Sequence, residues 1–340
     1  MHRTLRLFAL VLASLFACEK PASPTAVNPP RASPTNKRIA VVPKGTTHEY
    51  WKSIHAGALK AEKDLGGIAI TFRGPEKEDD REQQIGLVQN LIASRYDAIV
   101  LAPLDHRALV GPVRQATSAG IPIVIMDSGI DASAGKDYVA FVATDNEEGG
   151  RLAGKKMAEL LSGKDKPAVL ILRYQEGSAS TALREKGFLD GLAAASPAAR
   201  IIDPGRYAGP TRASAQEAAE NLLSASAGID GVYCPNESST FGMMLALRSR
   251  GLAGKVAFIG FDSSKELVDA MRGGEIAALV VQNPIRMGYL AVKAAADHLA
   301  ARPVEAHQDT GVAIIIKETM DEPQNRELLS PDLEALLGTR

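Results

Sequence analysis

Cysteine is nearly missing from this chain of 340 residues: only Cys18 and Cys234 occur, too few for a disulfide framework or a cysteine-built metal cage. Packing must therefore hold the fold. An excess of one charge is missing too. The 39 basic and 40 acidic side chains leave a formal charge of −1, and no long basic block marks a surface for nucleic acid. Aromatic residues are scarce at 5%, with Trp51 the single tryptophan, so each aromatic near a loop draws notice. Long apolar runs are absent. The longest, Leu5 to Leu15, falls well short of the ~20 residues that span a bilayer. There is no metal-ligand spacing of His and Cys, no Gly-x-Ser-x-Gly elbow and no Gly-rich phosphate loop. Neither metal nor cofactor is expected, and binding without turnover is the reading, since nothing selects two carboxylates as an acid and base pair.

What is present begins with Arg3 and Arg6 at the head of the apolar run, which closes on Leu15-Phe16-Ala17-Cys18. This pattern reads as an export signal over residues 1–17 with lipid attachment at Cys18, although Phe16 is bulkier than the residue usual there and a signal cut elsewhere is the alternative. Residues 18–36 carry Pro21, Pro24, Pro29, Pro30 and Pro34 among small and polar residues. Such a stretch builds no core and is expected to act as a disordered tether. The protein is then expected on the periplasmic or extracellular face, held to a membrane by its lipid alone.

Roughly 300 residues remain, room for two domains. From Lys37 onward, short branched apolar runs alternate with helix-period segments, the signature of an α/β chain with parallel sheets. The expected strands are Arg38 to Pro43, Ile68 to Phe72, Ala98 to Ala102, Ile121 to Met126 and Tyr138 to Val142. A second set runs Ala168 to Leu172, Arg200 to Ile202, Gly231 to Cys234, Val256 to Phe261 and Ile276 to Val281. In doubly wound sheets ligands bind beyond the carboxyl ends of the strands. Lys44, Asp105, Asp127, Asn236, Glu237 and Asp262 stand just past strand ends, although short loops also favour such residues as helix caps.

These residues resemble the ribose-binding-like, or type I periplasmic, substrate-binding proteins of ABC importers. The resemblance covers nearly all of Lys37 to Lys317. It is carried by Ile39-Ala40-Val41-Val42-Pro43-Lys44, Pro122 to Asp127, Thr144-Asp145-Asn146 with Gly149-Gly150, Arg184 to Phe188, Asn236-Glu237, Gly260-Phe261-Asp262, and Gln282 ahead of Pro284. It implies two doubly wound lobes joined by three crossings, near Asn146, Asn283 and His307. The first lobe would be residues 37–145 plus 283–306, and the second 146–282 plus 307–340. It also implies a monomer that closes on a small sugar-like ligand and presents it to an ABC permease; docking on a chemoreceptor or histidine kinase is the alternative.

A sugar site needs hydroxyl partners and an aromatic plane for ring C–H faces. Thr46 and Glu49 read as a capping box that starts a helix near Thr47, placing His48, Tyr50 and Trp51 in its opening turn. Tyr50 and Trp51 stand where the family places stacking aromatics, though Trp51 also opens the apolar stripe of that helix. Tyr207 resembles a third aromatic, from the other lobe. Asp127 and Asp262 are the leading carboxylates, since one ionised group accepts from two hydroxyls; a Ser263–Glu266 capping box would leave Asp262 free. Asn236 and Gln282 offer donor and acceptor together. Ser180 and Thr181 either touch ligand or cap the helix that carries Arg184, itself a ligand residue or a structural one. Lys44 stands where ribose-binding proteins carry an uncharged residue, and their arginines are missing at Ser128 and near Ala182, so plain ribose is not implied. The Pro43-Lys44 pair is more similar to the opening of furanose-type autoinducer receptors. Lys44 reaches a furanose, sugar acid or polyol directly, or it pairs with Asp127 or Glu49 and orders the loop.

Overall fold

The computed structural model describes residues 36–203 and 205–338; the expected leader, the tether and Cys18 lie outside them. The chain opens β1 (Lys37–Val42), α1 (Glu49–Leu65), β2 (Ile68–Phe72), α2 (Arg81–Ala93), β3 (Ala98–Leu101), α3 (Val110–Ser118), β4 (Ile123–Met126) and β5 (Ala140–Ala143). A second round follows: α4 (Asn146–Leu160), β6 (Ala168–Ile171), α5 (Ala179–Ala195), β7 (Arg200–Ile202), α6 (Arg212–Ala225), β8 (Gly231–Tyr233), α7 (Glu237–Ser249), β9 (Ala257–Phe261), α8 (Lys265–Arg272) and β10 (Ala278–Gln282). The chain ends α9 (Pro284–Leu299), β11 (His307–Asp309), β12 (Val312–Ile316), α10 (Pro323–Leu329) and α11 (Leu333–Leu337).

The strands form two six-stranded sheets, ordered β11-β5-β4-β3-β1-β2 and β12-β10-β9-β8-β6-β7. All pairings are parallel except β10 with β12, which run antiparallel. All ten expected strands are present. The two edge strands β11 and β12 were not foreseen, because His307-Gln308-Asp309 carries no apolar run and Val312–Ile316 follows a turn instead of a helix.

Burial explains the layering. Both sheets are sandwiched by helices, so their strands read as unbroken apolar runs. On one face of the first sheet, Trp51, Ile54, Ala58 and Ala61 of α1 pack with Met287, Ala291 and Val292 of α9 over Ile39, Val41 and Val124. On the other, Val88 and Leu91 of α2 and Val113 and Ala116 of α3 cover Val42, Ile99, Leu101 and Ile125. The second sheet is covered by α6, α7 and α8 on one face and by α4 and α5 on the other. Each fully buried Ile or Leu in these layers contributes about 1.5–3 kcal/mol.

The chain passes between the sheets three times: from β5 into α4, from β10 into α9, and from β11 into β12. Since β11 still pairs with β5, the third passage lies between Asp309 and Val312, past the His307 expected from sequence. After β12 the chain does not stay with the second sheet. Helix α10 lies by β10, but α11 packs on α1 of the first lobe.

Helices α4 and α5 approach closely because glycines face each other. A Cβ at Gly187 would lie 2.0 Å from the Glu147 carbonyl oxygen, and one at Gly150 would lie 2.0 Å from that of Arg184. This contact sets the position of Arg184, which reaches the cleft. Gly187→Ala is expected to lower the unfolding free energy by at least about 2 kcal/mol in urea titrations, as overpacking against fixed backbone does. Gly163→Ala, where a Cβ meets nothing within 4 Å, should stay within about 0.5 kcal/mol of wild type.

Candidate ligand-binding site

Where the carboxyl ends of the two sheets face each other, polar loops from both lobes close on one small cavity. Its wall is Lys44, His48, Tyr50, Trp51, Glu78, Asp127, Tyr174, Ser180, Thr181, Arg184, Asn236, Glu237, Asp262 and Gln282, and its volume is about 30 Å³. That is room for two or three water molecules, each needing about 10–15 Å³. Hollows of about 720 and 360 Å³ border the C-terminal segment. Size does not identify the site; the convergence of strand ends at the point where each sheet reverses its strand order does.

Each lobe's fourth strand delivers an aspartate in the same way. Asp127 follows β4 with φ 64° and Asp262 follows β9 with φ 68°, both in the left-handed region that a side chain seldom adopts. Each backbone N–H donates to the neighbouring strand, to Val142 O and Val280 O respectively. Strain of this kind costs about 1 kcal/mol or more and persists where surrounding structure enforces it. Here it turns both carboxylates into the cleft.

The buried ions are paired. Lys44 Nζ lies 2.9 Å from Asp127 Oδ2 and donates to Ser180 Oγ of the other lobe at 3.1 Å. The Tyr50 hydroxyl donates to Asp127 Oδ1 at 2.7 Å, and burial first, then the charges of Asp127 and Asp262, raise that phenol well above its ordinary pKa. Across the cavity, Gln282 Nε2 donates to Asp262 Oδ1 at 2.7 Å, while Arg184 NH1 stands 3.8 Å from Oδ2. Burial raises the Asp262 carboxyl, assisted by Asp127 and opposed by Arg184 and Gln282. The Arg184 guanidinium lies over the Phe261 ring, 3.9 Å from its centroid, and donates to Asn146 Oδ1 and Pro235 O.

Glu78 organises the aromatic wall. Its Oε1 accepts from Trp51 Nε1 at 2.7 Å and lies 2.8 Å from His48 Nδ1, while its Oε2 accepts from the Tyr174 hydroxyl of the second lobe at 2.7 Å. Burial alone would raise Glu78, but the His48 bond and charge, the Lys44 charge and the Trp51 bond outweigh it and hold the carboxyl at about 2. For His48 burial works downward, and the bond and charge of Glu78 overcome it, so the imidazole is raised above 6.5. Further contacts seal the lobes around this wall: Gln175 Nε2 donates to Glu78 O, Ser180 N to Ser128 Oγ, Arg81 to Glu176 O, and His106 N to Gly177 O.

Of the residues singled out from sequence, Lys44, His48, Tyr50, Trp51, Asp127, Ser180, Thr181, Arg184, Asn236, Asp262 and Gln282 all stand in this wall. Tyr207 does not. It is 44% exposed and bridges Arg173 past the carboxyl end of the edge strand β7, outside the cavity wall. Trp51 is both core and wall, 3% exposed and in edge contact with Tyr50. The Thr46–Glu49 capping box is not formed: α1 begins at Glu49, His48 occupies its N-cap without a side-chain cap bond, and Thr46 donates to Pro75 O instead. Nor is the Ser263–Glu266 box formed, since α8 is preceded by Ser264. Ser180 and Thr181 sit in the first turn of α5, whose N-cap is Ser178. Asn236 is itself a helix cap, in a reciprocal box with Ser239. Glu78 and Tyr174 are wall residues that the sequence left unmarked, and Glu237, noted just past β8, was not among the expected ligand residues. Glu78 lies in the charged run Glu76 to Glu82, and Tyr174 follows β6 with no motif around it.

The two-sheet hinge and cleft define a class of bilobal receptors. The periplasmic binding protein domain model matches residues 39–303, and the chain belongs to that family. It is 29% identical over 314 residues to a D-ribose/D-allose-binding protein of Pseudomonas aeruginosa, covering 90% of this chain and 94% of that one. An ABC transporter solute-binding protein of Agrobacterium vitis with bound D-fucose superposes with a TM-score of 0.82 at 34% identity, covering 86% of this chain and 99% of that one. A carbohydrate transporter solute-binding protein of Agrobacterium radiobacter in complex with D-arabinose gives 0.82 at 34%, covering 88% and 100%.

The His48–Glu78 pair makes stability depend on pH in two windows. A raised histidine contributes stability that is complete below 6.5 and fades as pH climbs through its higher folded value. A depressed carboxylate contributes stability above 4.5 that is lost as pH falls toward about 2. The gap in melting temperature between wild type and His48→Gln should therefore be widest below pH 6.5 and narrow as pH rises above it. A constant gap over that range would show that His48 carries no extra proton in the folded protein.

Proposed function

We propose that this protein captures a small sugar or sugar-like ligand, of the pentose, furanose or polyol class, between its lobes and delivers it to an ABC importer while anchored by a lipid on Cys18. One observation carries the reading: carboxylate, amide, ammonium and hydroxyl groups from both lobes converge on one small cavity beside Tyr50 and Trp51. The ligands named for the relatives, ribose or allose, fucose and arabinose, support it.

The bonds already present in the wall explain how capture works. Asp127 and Asp262 each accept from neighbouring side chains in positions where a vicinal diol would donate. A sugar exchanges side-chain partners for its own hydroxyls, so no ion loses its hydrogen bonds when ligand takes their place. A cavity of about 30 Å³ admits a sugar only after the lobes part, which the three passages between the sheets permit. Ligand contacts drawn from both sides are complete only when the cleft is shut. Binding thus shifts the population toward closure, and the permease reads that shape. No group in the wall is called upon for turnover.

Titration with a sugar panel, read by Trp51 fluorescence and by thermal shift, tests the reading; no response to any sugar would count against it. Asp127→Asn and Asp262→Asn keep shape and tolerate the left-handed backbone while removing the charge. Each should weaken binding on the order of 10- to 100-fold, the worth of a charge-assisted hydrogen bond. Wild-type affinity in either variant removes that residue from the site. For the anchor, Cys18→Ser should move the protein from the membrane to the soluble fraction, and unchanged membrane association would contradict lipidation there.

A further inference from the structure

Buried polar atoms without partners are rare, because each forfeits its hydration with nothing in return. Among the described residues five side-chain atoms are in this position: Gln175 Oε1, Ser178 Oγ, Tyr233 OH, Glu237 Oε2 and Ser264 Oγ. Glu237 alone belongs to the cavity wall. It is the first residue of α7 and 2% exposed. Its Oε1 is fixed from outside by Arg212, which donates from Nε at 2.9 Å and also from NH2. Arg212 is in turn held over the Phe241 ring at 3.9 Å and reaches Glu266, so the carboxylate plane is set by groups that do not face the cavity. Burial, with the charge of Asp262, raises this carboxyl, and Arg212 and His48 oppose the rise. Only Oε2 lacks a donor.

We infer that Glu237 is a specificity-determining residue, whose Oε2 accepts a hydrogen bond from one particular hydroxyl of the bound sugar. The inference rests on the sugar-capture reading above and narrows it: the ligand carries a donor at one ring or exocyclic position, and analogues deoxygenated there are rejected. Rejection is strong because the analogue leaves a buried carboxylate oxygen unmet; sites built for a hydroxyl discriminate by as much as ~10⁴-fold. Asp127, Asp262 and Gln282 do not share this property, since their polar atoms have protein partners to fall back on.

The test uses the full-length protein and calorimetric titration with D-ribose, D-allose, D-fucose, D-arabinose and D-galactose, followed by the monodeoxy series of the tightest binder. Wild type should reject one deoxy isomer by at least ~100-fold. Glu237→Ala should bind the parent sugar and that isomer within about 3-fold of each other, while discrimination at the other positions is kept. Glu237→Gln, which preserves an acceptor for Arg212, provides the same comparison should the alanine variant melt early, and should retain part of the discrimination. If every position is discriminated as in wild type in both variants, Glu237 does not read the ligand and the inference fails. If wild type discriminates at no position, it fails too. If wild type binds none of the sugars, the capture reading itself falls, an outcome distinct from the other two.

Discussion

Charges removed from water must be met by opposite charge or by hydrogen bonds, and the interface between the two lobes of this protein is arranged around that constraint. Lys44 and Asp127 are 4% and 3% exposed, Glu78 6% and Asp262 7%. Each has a partner at hydrogen-bond distance, and several of those partners come from the opposite lobe. Ser180 meets Lys44, and Tyr174 meets Glu78. Breaking such a pair inside a protein costs several kcal/mol, whereas solvating it in an open cleft costs little, so these groups favour a shut cleft only when their partners are correctly placed. On the proposed reading the same constraint would make the cleft selective, accepting a guest that satisfies the carboxylates and rejecting one that leaves them bare.

The fold delivers these groups by using one device twice. Both sheets have the order in which the first strand of each lobe is flanked by its second and third, and in both the fourth strand ends on an aspartate in the left-handed region. Close-packed glycines at the α4–α5 contact bring Arg184 toward Asp262, and the sheet edges supply the third passage between lobes. Rigid sheets thus carry the wall residues, three short connections join them, and α11 reaches back onto α1. That division suits a clamshell, in which site geometry within each lobe persists as the lobes move.

Much of this was legible from residue pattern. Parallel strands buried on both faces write themselves as unbroken runs such as Ile39 to Val42, and polar residues just past those runs fall in the cleft by topology alone. What escaped depended on contacts between distant segments. Glu78 is acidic, lies in a charged stretch, and becomes a wall residue only because Tyr174 and Gln175 of the other lobe cover it. Glu237 was visible just past β8, but its place in the wall depends on Arg212, distant in sequence, fixing its carboxylate from outside. Tyr207 was expected at the cavity because it resembles the family's third aromatic, but it lies past the edge strand β7, 44% exposed and outside the wall. Capping boxes at Thr46 and Ser263 followed correct local rules, and tertiary contacts to Pro75 and Leu328 overrode them.

The central claim is that one guest, gripped from both sides, draws the two lobes together. Small-angle scattering of the protein with and without a saturating sugar of measured affinity tests this most directly. The account predicts a smaller radius of gyration with sugar and a profile matching the shut arrangement described here. Superimposable curves with the sugar demonstrably bound would contradict it.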